Sequence, residues 1–222
     1  MHPFSDNFSS GNGVDMKNEW EINNLPNRLT IFRITLIPII VLGLSVSIPE
    51  SDFFSLGARK IWSLVAAITF TVASITDFFD GYFARKRDII TVFGSFLDPI
   101  ADKFLVVSSL IMLLALERIN FLIVILLILR EMYITSLRLL ASQKGINVPV
   151  DRWGKYKTAT QMIGIPLLMI NDVEIFISLG LLGTIFIYVS CFLSVFSALR
   201  YSTKLYLKFK LIRYNQKHES GL

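Results

Sequence analysis

Cysteine and histidine are nearly absent from this chain of 222 residues, which has one of the first and two of the second. The lone Cys191 excludes a disulfide framework and a cysteine metal site. His2 and His218 stand in polar terminal stretches, which argues against a histidine metal site or proton relay. Any bound metal must therefore be held by oxygen, which suits a hard ion such as Mg²⁺ or Mn²⁺. Charge is also scarce, at 18% of residues. No cleavable-signal pattern is present, because the first 28 residues are polar and hold no apolar core followed by small residues. Insertion is expected to use the first spanning helix itself. No internal repeat is visible, and no nucleic-acid partner is expected.

What the chain does have is apolar surface. Hydrophobic residues make up 53% and the mean hydropathy is +0.58, the composition of a membrane protein. Crossing a bilayer takes about 20 mostly apolar residues. Six segments qualify, at approximately 30–48, 59–83, 93–116, 120–141, 158–171 and 175–199; the fifth is short unless it begins near Gly154. The expected fold is therefore all-α, a polytopic membrane protein with six transmembrane helices. Residues 1–15 are rich in Ser, Gly and Asn and are expected to be disordered. Met16 to Leu25 is expected to form a short interfacial helix through Trp20, Ile22 and Leu25. The domain then runs over 16–200, and 201–222 is a basic cytoplasmic tail, solvated or in contact with lipid headgroups.

An even number of spans puts both termini on one side. That side receives Lys17, Arg28, Arg85, Lys86, Arg87, Lys144, Arg152, Lys155, Lys157 and the basic residues from Arg200 onward, against Arg59, Lys60 and Arg118 opposite. The bias predicts cytoplasmic termini.

Ionisable groups inside the spans carry the functional information, since each costs roughly 2.5–3.5 kcal/mol to insert at mid-membrane. They are Arg33, Asp77, Asp80, Asp98, Asp102, Lys103, Arg130, Glu131 and Arg138. All lie toward the cytoplasmic ends of their segments, so one water-accessible cavity can serve them. Asp77 and Asp80 are three apart, and Gly94, Asp98 and Asp102 are successively four apart, so each of two helices presents two carboxylates on one stripe. The loop between these helices is short, which makes them antiparallel neighbours with stripes able to face each other. A single Asp here would serve equally as a proton relay, a helix cap or an ion-pair partner of Lys103 or Arg85. Four clustered carboxylates without basic partners repel one another, and divalent cations remove that penalty. Two ions with shared ligands suit phosphoryl-group chemistry.

Read as a string, these residues give Asp77-x2-Asp80-Gly81-x2-Ala84-Arg85-x8-Gly94-x3-Asp98-x3-Asp102. The string resembles the full signature of the CDP-alcohol phosphatidyltransferase family at all eight fixed positions. That resemblance implies six transmembrane helices, an active site open to the cytoplasm, and transfer of a phosphatidyl or related group from a CDP-linked donor to an alcohol with release of CMP. It further implies Asp77, Asp80, Asp98 and Asp102 as ligands of two Mg²⁺ or Mn²⁺ ions, with Asp102 also the general base. Gly81, Arg85 and Thr91 match positions where the family holds the CDP moiety. Dimerisation is common in the family, so a homodimer is expected.

Outside the signature, Asn24 to Arg33, Arg130-Glu131 with Arg138, Lys144-Gly145 and Trp153 to Gln161 resemble the branch that takes glycerol 3-phosphate as acceptor. An anionic acceptor needs a basic pocket apart from the metals. Arg130 and Arg138, eight apart and expected on one helical face, with Lys155 and Lys157 at the next span, are the candidates, and Glu131 is placed to orient an arginine. Asn27, Thr30 and Arg33 are candidate cytidine contacts, with helix capping an alternative for Asn27. The reading is transfer from CDP-diacylglycerol to the 1-hydroxyl of sn-glycerol 3-phosphate at the bacterial inner membrane. Inositol phosphate or phosphatidylglycerol as acceptor, and more remotely a cation transporter, are the alternatives.

Overall fold

In the computed structural model, residues 25–48, 54–87, 92–146, 152–171 and 178–219 are described. They form six helices: α1 (Leu25–Ser45), α2 (Leu56–Arg87), α3 (Val92–Ala115), α4 (Phe121–Gln143), α5 (Arg152–Met169) and α6 (Leu179–Glu219). No strand occurs among the described residues. The expected disordered and interfacial segments of the N-terminus, 1–24, lie outside them.

The helices follow the apolar segments in number and order. Two differ in extent: α5 begins at Arg152, and α6 continues without a break through Arg200 to Glu219, so the basic stretch is helix. Among the described residues three stretches are long and apolar enough to cross a membrane, Arg28–Ser45, Leu56–Asp77 and Leu179–Tyr214, which marks an integral membrane protein. The other three helices fall short for a common reason. Each carries three charged residues: Asp98, Asp102 and Lys103 in α3, Arg130, Glu131 and Arg138 in α4, and Arg152, Lys155 and Lys157 in α5.

Local chemistry suits helices in an apolar medium. Hydroxyls of α2 bond back to their own helix, Thr69 to the Val65 carbonyl (2.7 Å), Thr71 to Ala67 (2.8 Å) and Ser74 to Phe70 (2.9 Å), so few polar atoms are left bare. Pro38, Pro99 and Pro166 lie inside α1, α3 and α5. Each removes one backbone donor, which membrane helices tolerate where neighbours satisfy the freed carbonyl. Large side chains such as Leu42, Ile61, Leu129 and Phe192 face outward, as a lipid-facing surface requires.

One core unites all six helices: Ile40 and Leu44 of α1, Phe70 of α2, Leu105 and Leu113 of α3, Leu127 of α4, Ile165 of α5 and Ile187 of α6. A smaller cluster, centred on Ile134, Tyr201 and Leu205, joins α4 to the second half of α6. α1 packs along both α2 and α3. α5 and α6 make the most extensive pairing. There a Cβ on Gly183 would stand 2.9 Å from the Leu168 backbone nitrogen and 3.1 Å from the Gly164 carbonyl oxygen. Glycine at both positions allows that approach. At the opposite end of the bundle from the charged helix ends, Arg118 donates to the carbonyls of Leu168 (3.1 Å) and Met169, a cation closing the C-terminus of α5.

Candidate active site

Three helices converge on one buried cation. Arg33, midway along α1 and 0% exposed, places Nη1 2.7 Å from Asp77 Oδ1 on α2 and 3.3 Å from Asp102 Oδ1 on α3. One nitrogen therefore brings the two carboxylate stripes together, and the two oxygens lie within about 6 Å of each other. This corrects one expectation: Asp77 and Asp102 do have a basic partner. The reason is depth: a guanidinium buried in an apolar bundle needs counter-charges, and among the described residues Asp77 and Asp102 supply them.

Asp102 also borders a cavity of about 240 Å³ between α3, α4 and α5. Lys103, Arg138 and Lys157 line it with Glu131, Thr135 and Gln161, and Leu110, Leu127 and Met162 close its apolar side. Its charges are held in place. Lys157, 6% exposed, bonds Glu131 Oε2 at 2.7 Å, and its carbonyl accepts from Ser190 Oγ at 3.1 Å. Lys103 Nζ donates to Thr135 Oγ1 at 2.8 Å. The Arg138 guanidinium lies 5.7 Å from the centre of the Tyr201 ring, within range of a cation–π contact.

The four residues expected to bind an acceptor phosphate divide here. Arg138 and Lys157 line the cavity. Arg130 does not: Nε donates to the Ser194 carbonyl at 2.9 Å, Nη2 to Ser197 Oγ, and Nη1 pairs with Glu131 Oε2 at 3.2 Å. Eight residues at about 100° each leave Arg130 and Arg138 about 80° apart, enough for Arg130 to turn to α6 while Arg138 reaches the cavity. Arg130 instead pins α4 to α6 and supports Glu131 from behind. Lys155 is exposed, two residues and about 200° from Lys157, and is absent from the cavity wall.

Lys103, Thr135 and Gln161 belong to the cavity but are not among the acceptor-binding residues expected from the sequence. Lys103 carries a signal as a charge inside a span next to Asp102, and Gln161 as the end of the Trp153 to Gln161 resemblance; Thr135 is an ordinary helix residue with no such mark. Of the remaining candidates, Thr30 is buried on α1. Asp80, Gly81 and Arg85 belong to α2 and Asp98 to α3, while their side chains, that of Asn27, and Thr91 as a whole lie outside the described residues.

The donor chemistry fits a hard divalent cation. Asp77 and Asp102 offer oxygen ligands and already converge on a positive charge, and Asp80 and Asp98 stand one helical turn away on the same two helices. Among the described residues alone, no group of three such donors is assembled.

The family model of CDP-alcohol phosphatidyltransferases matches residues 23–196. A CDP-diacylglycerol–glycerol-3-phosphate 3-phosphatidyltransferase of Rickettsia felis is 37% identical over 179 residues, covering 80% of this chain and 93% of its own. Proteins of the same name from Bacillus subtilis (36% over 185 residues, 82% and 94%) and Haemophilus influenzae (34% over 185, 80% and 91%) are similar throughout. The matched region takes in every helix that contributes to the carboxylates and to the basic cavity, and on that ground the chain belongs to the CDP-alcohol phosphatidyltransferase family.

Proposed function

We propose that this protein transfers the phosphatidyl group of CDP-diacylglycerol to the 1-hydroxyl of sn-glycerol 3-phosphate, giving phosphatidylglycerophosphate and CMP. One observation carries the reading to this chain's own residues: Asp102 borders the same cavity as Lys103, Arg138 and Lys157, so a candidate base and a phosphate-binding set face one space. The shared name of the relatives supports the choice of donor and acceptor.

In this mechanism the three cations bind the acceptor's phosphate, with Lys157 aimed by Glu131 and Glu131 backed by Arg130. The acceptor hydroxyl then lies against Asp102, which takes its proton as the oxygen bonds to the phosphorus carrying diacylglycerol. The bond from that phosphorus to the CMP oxygen breaks, and CMP departs with the electron pair. Arg33 holds Asp77 and Asp102 near each other, one on each of the two carboxylate-bearing helices. On the donor side Gly81 lets the nucleotide approach the backbone, Arg85 forks onto diphosphate oxygens, and Thr91, Asn27 and Thr30 complete the cytidine side.

Divalent-metal dependence goes with the family. Asp77, Asp80, Asp98 and Asp102 would hold two Mg²⁺ or Mn²⁺ ions, which when bound screen the diphosphate and stabilise the departing oxygen. The full reading includes six spans, cytoplasmic termini and active site, the bacterial inner membrane and a homodimer.

The deciding experiment offers purified protein CDP-diacylglycerol with glycerol 3-phosphate, inositol phosphate or phosphatidylglycerol, each with and without a divalent ion. CMP release is expected only with glycerol 3-phosphate and metal. Faster release with inositol phosphate would keep the reaction and replace the acceptor; metal-dependent ion flux in liposomes without CMP release would overturn both.

A further inference from the structure

A second cavity, of about 510 Å³, lies where α4 gives way to the turn before α5, and it plays no part in the reaction above. Lys144, Lys210 and Arg213 supply its charge, and Ile146, Phe209 and Ile212 supply apolar wall. Among the described residues no acidic side chain lines it, and none of the three cationic side chains makes an ion pair. Three like charges around one space repel, and an anion between them reverses that cost.

The cavity is built, not a loose tail. Gly145, at φ 66°, closes α4 in a left-handed turn in which Lys144 N bonds the Ala141 carbonyl at 3.1 Å and Ile146 N bonds it at 2.9 Å. Ile146 is buried with Tyr201 and Leu205, and Phe209 packs on the same cluster. The backbone positions of Lys144 and Lys210 are thus set by a helix cap on one side and a hydrophobic core on the other.

Depth suggests the ligand. On the six-span reading proposed above, α4, with 23 residues and about 34 Å long, crosses the hydrocarbon core and Lys144 emerges at headgroup level. α6 runs alongside α4, held by Arg130 to Ser194 and Tyr133 to Ser202, which brings Lys210 and Arg213 to the same level. Cations beside apolar side chains at that depth match a phosphate beside methylenes.

We propose that this cavity binds the phosphate of an anionic phospholipid of the surrounding membrane, with the lipid's glycerol and first methylenes on Ile146, Phe209 and Ile212. The bound lipid locks the extension of α6 against the end of α4. The inference is independent of the acceptor, and its site shares no residue with the proposed active site.

The test uses the full-length protein in neutral detergent, titrated with phosphatidylglycerol or phosphatidylcholine and read by native mass spectrometry. One tightly held phosphatidylglycerol is expected, and Lys144→Gln/Lys210→Gln/Arg213→Gln should weaken it on the order of 100-fold while detergent activity without added lipid is kept. Arg200→Gln/Lys204→Gln/Lys208→Gln removes equal charge from the same helix and should cost far less. Should the first triple variant fail to fold, Lys144→Gln and Arg213→Gln singly should each weaken binding several-fold. Undiminished binding in these variants, equal loss in both triple variants, or equal affinity for phosphatidylcholine would overturn the proposal. Displacement of the lipid by millimolar inorganic phosphate would overturn the lipid as ligand and assign the cavity to a soluble phosphate.

Discussion

Asp102 is the residue on which two pieces of chemistry meet: it bonds Arg33 on one side and borders the basic cavity on the other. Asp102→Asn keeps the shape and loses the ability to accept a proton. Its CMP release is expected to fall by about 10²–10⁴-fold, the range that general-base catalysis supplies, with a lowered melting temperature as well, because Arg33 loses one of its counter-charges while Asp77 remains. Robust turnover by that variant would remove Asp102 from the mechanism. Glu131 makes a different prediction because it acts through Lys157. Glu131→Gln leaves Lys157 buried without its counter-charge, and because Glu131 is itself partly exposed the cost is expected to fall below the roughly 3–5 kcal/mol of a fully buried pair. The melting temperature should drop, and KM for glycerol 3-phosphate should rise more than KM for CDP-diacylglycerol. A fall in kcat with both KM values unchanged would contradict a positioning role.

At the scale of elements, the α5–α6 pairing depends on what is missing from it. Gly183→Leu inserts a side chain where its first carbon already meets the backbone of α5 at 2.9 Å, so the helices must separate. Overpacking of this kind costs about 1–3 kcal/mol. Because α5 carries Lys157, the same variant should also weaken acceptor binding. Gly57→Ala, with nothing within 4 Å of the added carbon, is the control and should stay within about 0.5 kcal/mol of the parent in thermal unfolding. Equal stability of the two variants would show that α5 and α6 are not closely packed in the membrane.

The whole molecule is a sorting of charge by function. The stretches apolar enough to cross a membrane lie in α1, α2 and α6, while α3, α4 and α5 each carry three charged residues, among them the side chains that line the 240 Å³ cavity. Such helices insert at acceptable cost only if their charges face one another or water. The positive-inside bias then orients the bundle. With Cys191→Ser as background, Lys60→Cys should react with a membrane-impermeant thiol reagent in intact cells and Lys204→Cys only after permeabilisation. The reverse pattern would invert the topology and move the proposed active site to the other face.

The sequence by itself determined the number and order of the helices, because each follows a largely apolar segment and the chain holds six of them, three of which are long and apolar enough among the described residues to cross a membrane. It also determined the carboxylates and the family, because charge in an apolar segment is costly and its spacing is local: three and four residues place Asp77 with Asp80 and Asp98 with Asp102 whatever the packing. What only the tertiary structure decided was which charge meets which. Arg33 lies 69 residues from Asp102 and Lys157 lies 26 from Glu131, and no periodicity within one helix encodes such pairings. The acceptor cavity shows the limit. Arg130, Arg138, Lys155 and Lys157 were equally basic and equally near in sequence, yet helical rotation puts only Arg138 and Lys157 on the cavity wall and sends Arg130 to α6. Local spacing fixes what a helix presents; the rotation and neighbours of that helix fix what it is presented to.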